Sequence, residues 1–140
     1  MAASTKTHAD YTIGWVCALP KEQTAATAML DVQHENTLEK SPNDDNVYTL
    51  GSIGRHNIAI ACLPKGKTGT ISAASVAVQM ISTFQSLKFV LMVGIGSGIP
   101  NKGKIRLGDV VVGTPQGQYP GVIQWELGKS AEGELEQSPR

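Results

Sequence analysis

The stretch FVLMVGIGSGIP, residues 89–100, restricts the fold more than any other. An apolar run, Phe89 to Val93, passes directly into three glycines within five positions, Gly94, Gly96 and Gly98. A short apolar run bounded by glycine reads as a buried strand. Bare backbone at its exit leaves room for a close neighbour, and ligands of open α/β sheets collect at this end of the strands. A tight turn that needs positive φ accounts for the same glycines equally well.

The flanking sequence supplies the partners for such a strand. Tyr11 to Leu19 is nearly continuous in apolarity, as expected for a strand covered on both faces. Pro20 suits the first turn of a helix, and Lys21 to Leu30 places Ala25, Ala26, Met29 and Leu30 at helical spacing. Residues 31–46 are polar and rich in turn formers and read as a surface loop. Val47 to Leu50 and Ile58 to Leu63 read as an antiparallel hairpin around GSIGRHN. After the loop Pro64 to Gly69, the pattern predicts a helix over Thr70 to Phe84, capped by Thr70 or Ser72.

Beyond the glycine cluster, Leu107 to Gly113 and Gly121 to Leu127 read as further strands. Strands alternating with helices predict an α/β domain on a mixed sheet. Two helices are few to cover both faces of a sheet of about six strands, so the architecture reads as truncated. The domain is expected over 11–127, between a disordered tail at 1–10 and a polar tail at 128–140.

Composition narrows the function. The chain has 140 residues, 41% hydrophobic and 17% charged, with twelve acids balancing twelve bases. This is a globular composition with no electrostatic case for nucleic acid or an anionic membrane surface. No apolar run approaches the ~20 residues of a membrane span and the first ten residues carry no secretory h-region, so the expected location is cytosolic. Cys17 and Cys62 fall inside apolar runs and read as buried reduced thiols. His8, His34 and His56 lie at no metal-ligand spacing, and no metal site is expected.

Three places carry candidate chemistry. GIGSGI lacks the third fingerprint glycine, having Ile99 there, and Pro100 to Gly103 opens no helix; a dinucleotide site is disfavoured. What remains is the bare backbone at Gly94, Gly96 and Gly98, whose N–H groups could reach a sugar or an anion. Gly66 to Thr70 ends at a helix N-terminus, with Lys65 and Lys67 adding charge; a solvated basic loop is the plain alternative. Glu22, two residues after Pro20, is placed either to partner the helix dipole or to accept a proton from water.

Four pieces then occur in one order: IGWVCALPKEQTAA, ACLPKGKTGTISAASVA, VLMVGIGSGIP and RLGDVVVG. Together they resemble the N-terminal half of the nucleoside phosphorylase and nucleosidase family, which includes purine and uridine phosphorylases and methylthioadenosine/adenosylhomocysteine nucleosidase. CALPKE, DDNVYTLG and LMVGIGSGIP resemble more closely the phosphorylase-like domains of fungal multidomain proteins, which are often followed by NACHT or NB-ARC modules and repeats.

The resemblance implies a three-layer α/β/α domain with a central mixed sheet that cleaves the N-glycosidic bond of a purine-type nucleoside. It implies Glu22 as the carboxylate that activates water, and Gly94, Ile95 and Gly96 as the loop lining the sugar. Gly69 and Thr70 match the helix start near that pocket, and Asp109 matches a structural position. The family's phosphate-holding Arg and Ser positions are Met92 and Ile95 here, so the resemblance favours water over phosphate as nucleophile. It implies no cofactor, with phosphate left open as co-substrate, and it leaves homo-oligomers open. The family's leaving-group acid belongs to its C-terminal half, so this chain alone is expected to be inactive or weak. A non-catalytic nucleoside-sensing or signalling module is the alternative.

Overall fold

The computed structural model describes residues 6–35, 37–98, 105–122, 130–131 and 134–135. They divide into two compact units, Met1–Ser97 and Gly98–Arg140.

In the first unit β1 (Ile13–Cys17) leads into α1 (Pro20–Ala28), followed by β2 (Val32–His34), β3 (Tyr48–Ile53) and β4 (His56–Cys62). Then come α2 (Thr70–Thr83) and β5 (Phe89–Met92). The sheet order is β2-β3-β4-β1-β5. β2 with β3 and β3 with β4 are antiparallel, whereas β1 runs parallel to both β4 and β5, so the sheet is mixed as expected.

The layering follows from the connections. α1 carries the chain from β1 to the β2 edge and α2 carries it from β4 to the β5 edge, in opposite directions across the sheet. Crossovers between parallel strands are right-handed, which puts two such helices on opposite faces. The buried clusters show that arrangement. Val16, Ala59 and Ala61 pack with Val76 and Met80 of α2, while Cys17, Ile58 and Ile60 pack with Ala26 of α1. Alternate residues of β1 and β4 therefore face different helices, and a three-layer α/β/α unit results. Gly14 lets α2 approach closely, because a Cβ there would lie 2.5 Å from Met80 Sδ.

Several expectations need correction. Residues 31–46 are not wholly a loop, since Val32–His34 adds an edge strand to β3. Three residues with Val32 and Gln33 exposed give no periodic apolar signal. Ala25 and Met29 of the first helix are exposed; its inward residues are Glu22 and Ala26. The second helix is capped by Gly69 at φ 92°, a conformation open to glycine, and not by Thr70 or Ser72. The hairpin turn is tighter than expected, at Gly54 and Arg55. Near the N-terminus, His8–Asp10 forms a 3-10 turn, with His8 against Phe84 at a ring separation of 5.7 Å.

In the second unit, no strand forms over Leu107–Gly113, where Val110, Val111 and Val112 are exposed. A β-type run gains its burial from a neighbouring strand, and none pairs with it among the described residues. Asp109 instead closes a local turn, accepting the Arg106 backbone N–H at 2.8 Å. Gln116 and Tyr119 bridge in a second turn. β6 (Ser130–Ala131) and β7 (Glu134–Leu135) pair antiparallel. Most of the strand expected at Gly121–Leu127 lies outside the described residues. Among the described residues, no helix is long and apolar enough to cross a membrane.

Candidate functional site

The three parallel strands leave the sheet at one edge. Cys17 stands opposite Cys62, and Val16 opposite Met92. The pairing continues one residue further, with Leu63 N–H donating to Cys17 O and Val93 N–H to Val16 O. The segments starting at Ala18, Leu63 and Val93 therefore emerge side by side, each at a carboxyl end.

Glu22 sits in the first of these. Pro20 opens α1 without needing a backbone donor, and Glu22 at the third helical position reaches back over the N-terminus. Its Oε2 accepts the backbone N–H of Ala18 and of Leu19, both at 2.9 Å. Its Oε1 accepts the backbone N–H of Ile95, also at 2.9 Å, from 73 positions along the chain. The side chain is 7% exposed.

Gly94 makes this reach possible. A Cβ there would stand 3.0 Å from Oε1 and 3.3 Å from Cδ of Glu22. The bare backbone after β5 thus accommodates a carboxylate of the chain itself. Around Gly96 there is open space, with nothing within 4 Å of an added Cβ.

The electrostatics follow from the contacts. The Ile95 N–H holds the Glu22 carboxyl below its ordinary range, and the Leu19 and Ala18 donors and Lys21 act in the same direction against burial. Burial pushes the Cys17 thiol up to about 11 and raises that of Cys62. Both are free thiols, Cys17 buried and Cys62 half-buried, and neutral thiols of this kind are poor nucleophiles.

Of the residues expected at the site, Glu22, Gly94 and Ile95 are brought together, and Gly96 lies on the same segment. Gly69 and Thr70 are exposed at the start of α2, and among the described residues neither hydrogen-bonds to Glu22. Met92 and Ile95 present apolar side chains, 55% and 73% exposed, where an anion site needs donors. Two open hollows lie elsewhere. One of about 380 Å³ is lined by residues including His34 and Tyr48, the other of about 510 Å³ by residues including His8 and Thr83. Neither is lined by Glu22 or Gly94. Among the described residues no group of three or more His, Cys, Asp or Glu is placed to hold a metal ion.

The backbone donors at Ala18 and Leu19 were missed by sequence reasoning; the spacing Leu19-Pro20-x-Glu22, with an acid three residues past the cap, is the signal for them. A second missed group is Asp44, Asn46, Tyr48 and Thr83. Asp44 Oδ1 accepts the Asn46 N–H at 2.9 Å, and Oδ2 accepts the hydroxyls of Tyr48 and Thr83. The Asp-x-Asn spacing in SPNDDN marks its local half.

No family model matches the chain. A protein of Hyaloscypha variabilis described as a nucleotide-binding leucine-rich repeat (NLR)-like protein is 54% identical over 126 residues, 89% of this chain. The chain spans 12% of that relative's length. Among solved structures, Helicobacter pylori futalosine hydrolase is 24% identical with a TM-score of 0.45, over 61% of this chain and 34% of its own. Helicobacter pylori 5'-methylthioadenosine/S-adenosyl homocysteine nucleosidase is also 24% identical with a TM-score of 0.45, over 59% and 32%.

Proposed function

We propose that this chain carries the water-activating part of a nucleosidase-type domain, which hydrolyses the N-glycosidic bond of a purine-type nucleoside. The observation that carries the reading is the meeting of Glu22 with the Gly94–Ile95 backbone at the carboxyl edge of three parallel strands. That edge is where open α/β sheets hold ligands. In the proposed reaction, water attacks the anomeric carbon and gives its proton to Glu22, while the glycosidic bond breaks and the departing base takes a proton from solvent, to which Glu22 afterwards returns its own.

Water is favoured over phosphate because Met92 and Ile95 supply neither guanidinium nor hydroxyl to an oxyanion. No residue of the chain is assigned to protonate the base, so turnover by this chain is expected far below the common enzymatic range of ~1–10³ per second. The similarity to an NLR-like protein supports a multidomain setting for the domain.

The test is release of free base from adenosine and inosine, with and without phosphate, by the wild-type chain and Glu22→Gln. Slow, phosphate-independent release that Glu22→Gln abolishes supports the proposal. Nucleoside binding with no release that depends on Glu22 favours the sensing module and overturns it.

A further inference from the structure

The hydrogen bonds of Glu22 are unequal. A carboxylate offers about four acceptor positions. Oε2 uses two of them on Ala18 and Leu19, and Oε1 uses one on Ile95. The position that remains is therefore on Oε1, the oxygen committed to the β5 exit, on a residue that is 7% exposed as a whole. The Ala18 and Leu19 donors belong to the same β1–α1 corner as Glu22, four and three residues before it. The Ile95 donor belongs to another segment, so it alone can be withdrawn by a local shift.

We infer that the Ile95 backbone N–H is a latch on Glu22, and that the Gly94–Ile95 peptide must move away before the carboxylate accepts a proton from a reacting water. This rests on the reading of Glu22 as the base. A sugar hydroxyl oxygen that takes over the Ile95 N–H would release Oε1 at the moment the ligand arrives, and by reciprocity a freed Oε1 would favour that ligand. Ile95 thus acts as a positioning residue through its backbone alone. The titratable groups acting on or beside Glu22 are Lys21, which favours the ionised form, and the thiols of Cys17 and Cys62, whose raised values keep them neutral near pH 7.

The experiment is an NMR titration of the 140-residue chain, following the Ile95 amide proton and the Glu22 side-chain carboxyl carbon over the acid range in which the fold persists. The latch predicts one shared midpoint for both nuclei. Gly94→Ala places a Cβ about 3.0 Å from Oε1, so the carboxylate must shift by a few tenths of an ångström against the Ile95 N–H. The Glu22 midpoint then moves upward, the Ile95 amide excursion shrinks, and base release increases severalfold. Ile95→Pro removes the donor and gives the same upward shift, with Gly94→Ala as the variant that keeps the test informative if Ile95→Pro does not fold. An Ile95 amide that stays flat through the Glu22 titration overturns the latch, as does a Glu22 midpoint unmoved by Gly94→Ala. The shared midpoint reports on the Ile95–Glu22 hydrogen bond and the faster base release of Gly94→Ala on the latch, whereas loss of base release in Glu22→Gln reports on the hydrolase reading.

Discussion

Glu22 and Asp44 are both buried carboxylates, 7% and 4% exposed, and each accepts three hydrogen bonds with two on one oxygen. They differ in who donates. All three donors to Glu22 are backbone N–H groups at the edge where β1 and β5 end. Asp44 takes one backbone N–H and two hydroxyls, from Tyr48 on β3 and Thr83 at the end of α2. Asn46 completes that network by donating to Tyr48 Oη and to Val76 O. The Asp44 group ties the 39–46 segment to α2 with rotatable hydroxyls that adapt to small shifts. Glu22 is held by fixed backbone beside the open space at Gly96. One carboxylate braces a surface segment against a helix, and the other closes the corner where β1 and β5 end.

The largest expected effect breaks the brace. Asp44→Ala leaves the Tyr48 and Thr83 hydroxyls and the Asn46 N–H without their acceptor, and unfolding in urea should show a loss of about 3 kcal/mol. Thr83→Val removes one donor to Asp44 and the acceptor of the Ser41 N–H at nearly constant volume. A loss of about 1.5 kcal/mol is expected by the same measurement. Neither change should alter nucleoside binding.

Glu22→Gln should have the opposite profile. It costs about 1 kcal/mol, because the amide retains one acceptor oxygen for the backbone donors, and it abolishes base release. The pH dependence sharpens the contrast. Glu22 has a lowered folded value, so the unfolded chain binds its proton first as pH falls. Its contribution is fully present above the ordinary Glu range and is lost as pH falls through the folded value. A plot of unfolding free energy against pH should therefore lose an acid-side slope in Glu22→Gln. The smallest effect belongs to the exposed loop after β4: Lys67→Ala should change stability by less than about 0.5 kcal/mol and leave base release independent of phosphate.

The sequence made the centre of the sheet legible because β1, β4 and β5 are apolar runs with clear breaks. Val32–His34 was hidden because an edge strand of three residues has no face to bury. Leu107–Gly113 misled because its valines satisfy a strand pattern without a described partner. At this corner, the placement of Glu22 at a helix start and of Gly94 and Ile95 at a strand exit was legible. That they bond to each other was not, since a contact across 73 positions leaves no local trace. The Asp44 network was half legible: Asp44 and Asn46 lie two apart, whereas Thr83 is 39 positions from Asp44.

The most direct test of a sugar-binding edge beside Glu22 is an amide-shift titration of the isotope-labelled chain with adenosine. Shift changes should concentrate at Ala18, Leu19, Gly94, Ile95 and Gly96, with the Asp44 network unmoved. Changes confined to the hollows near His34 or His8, or no change up to about 10 mM nucleoside, an affinity near 3 kcal/mol, would contradict it.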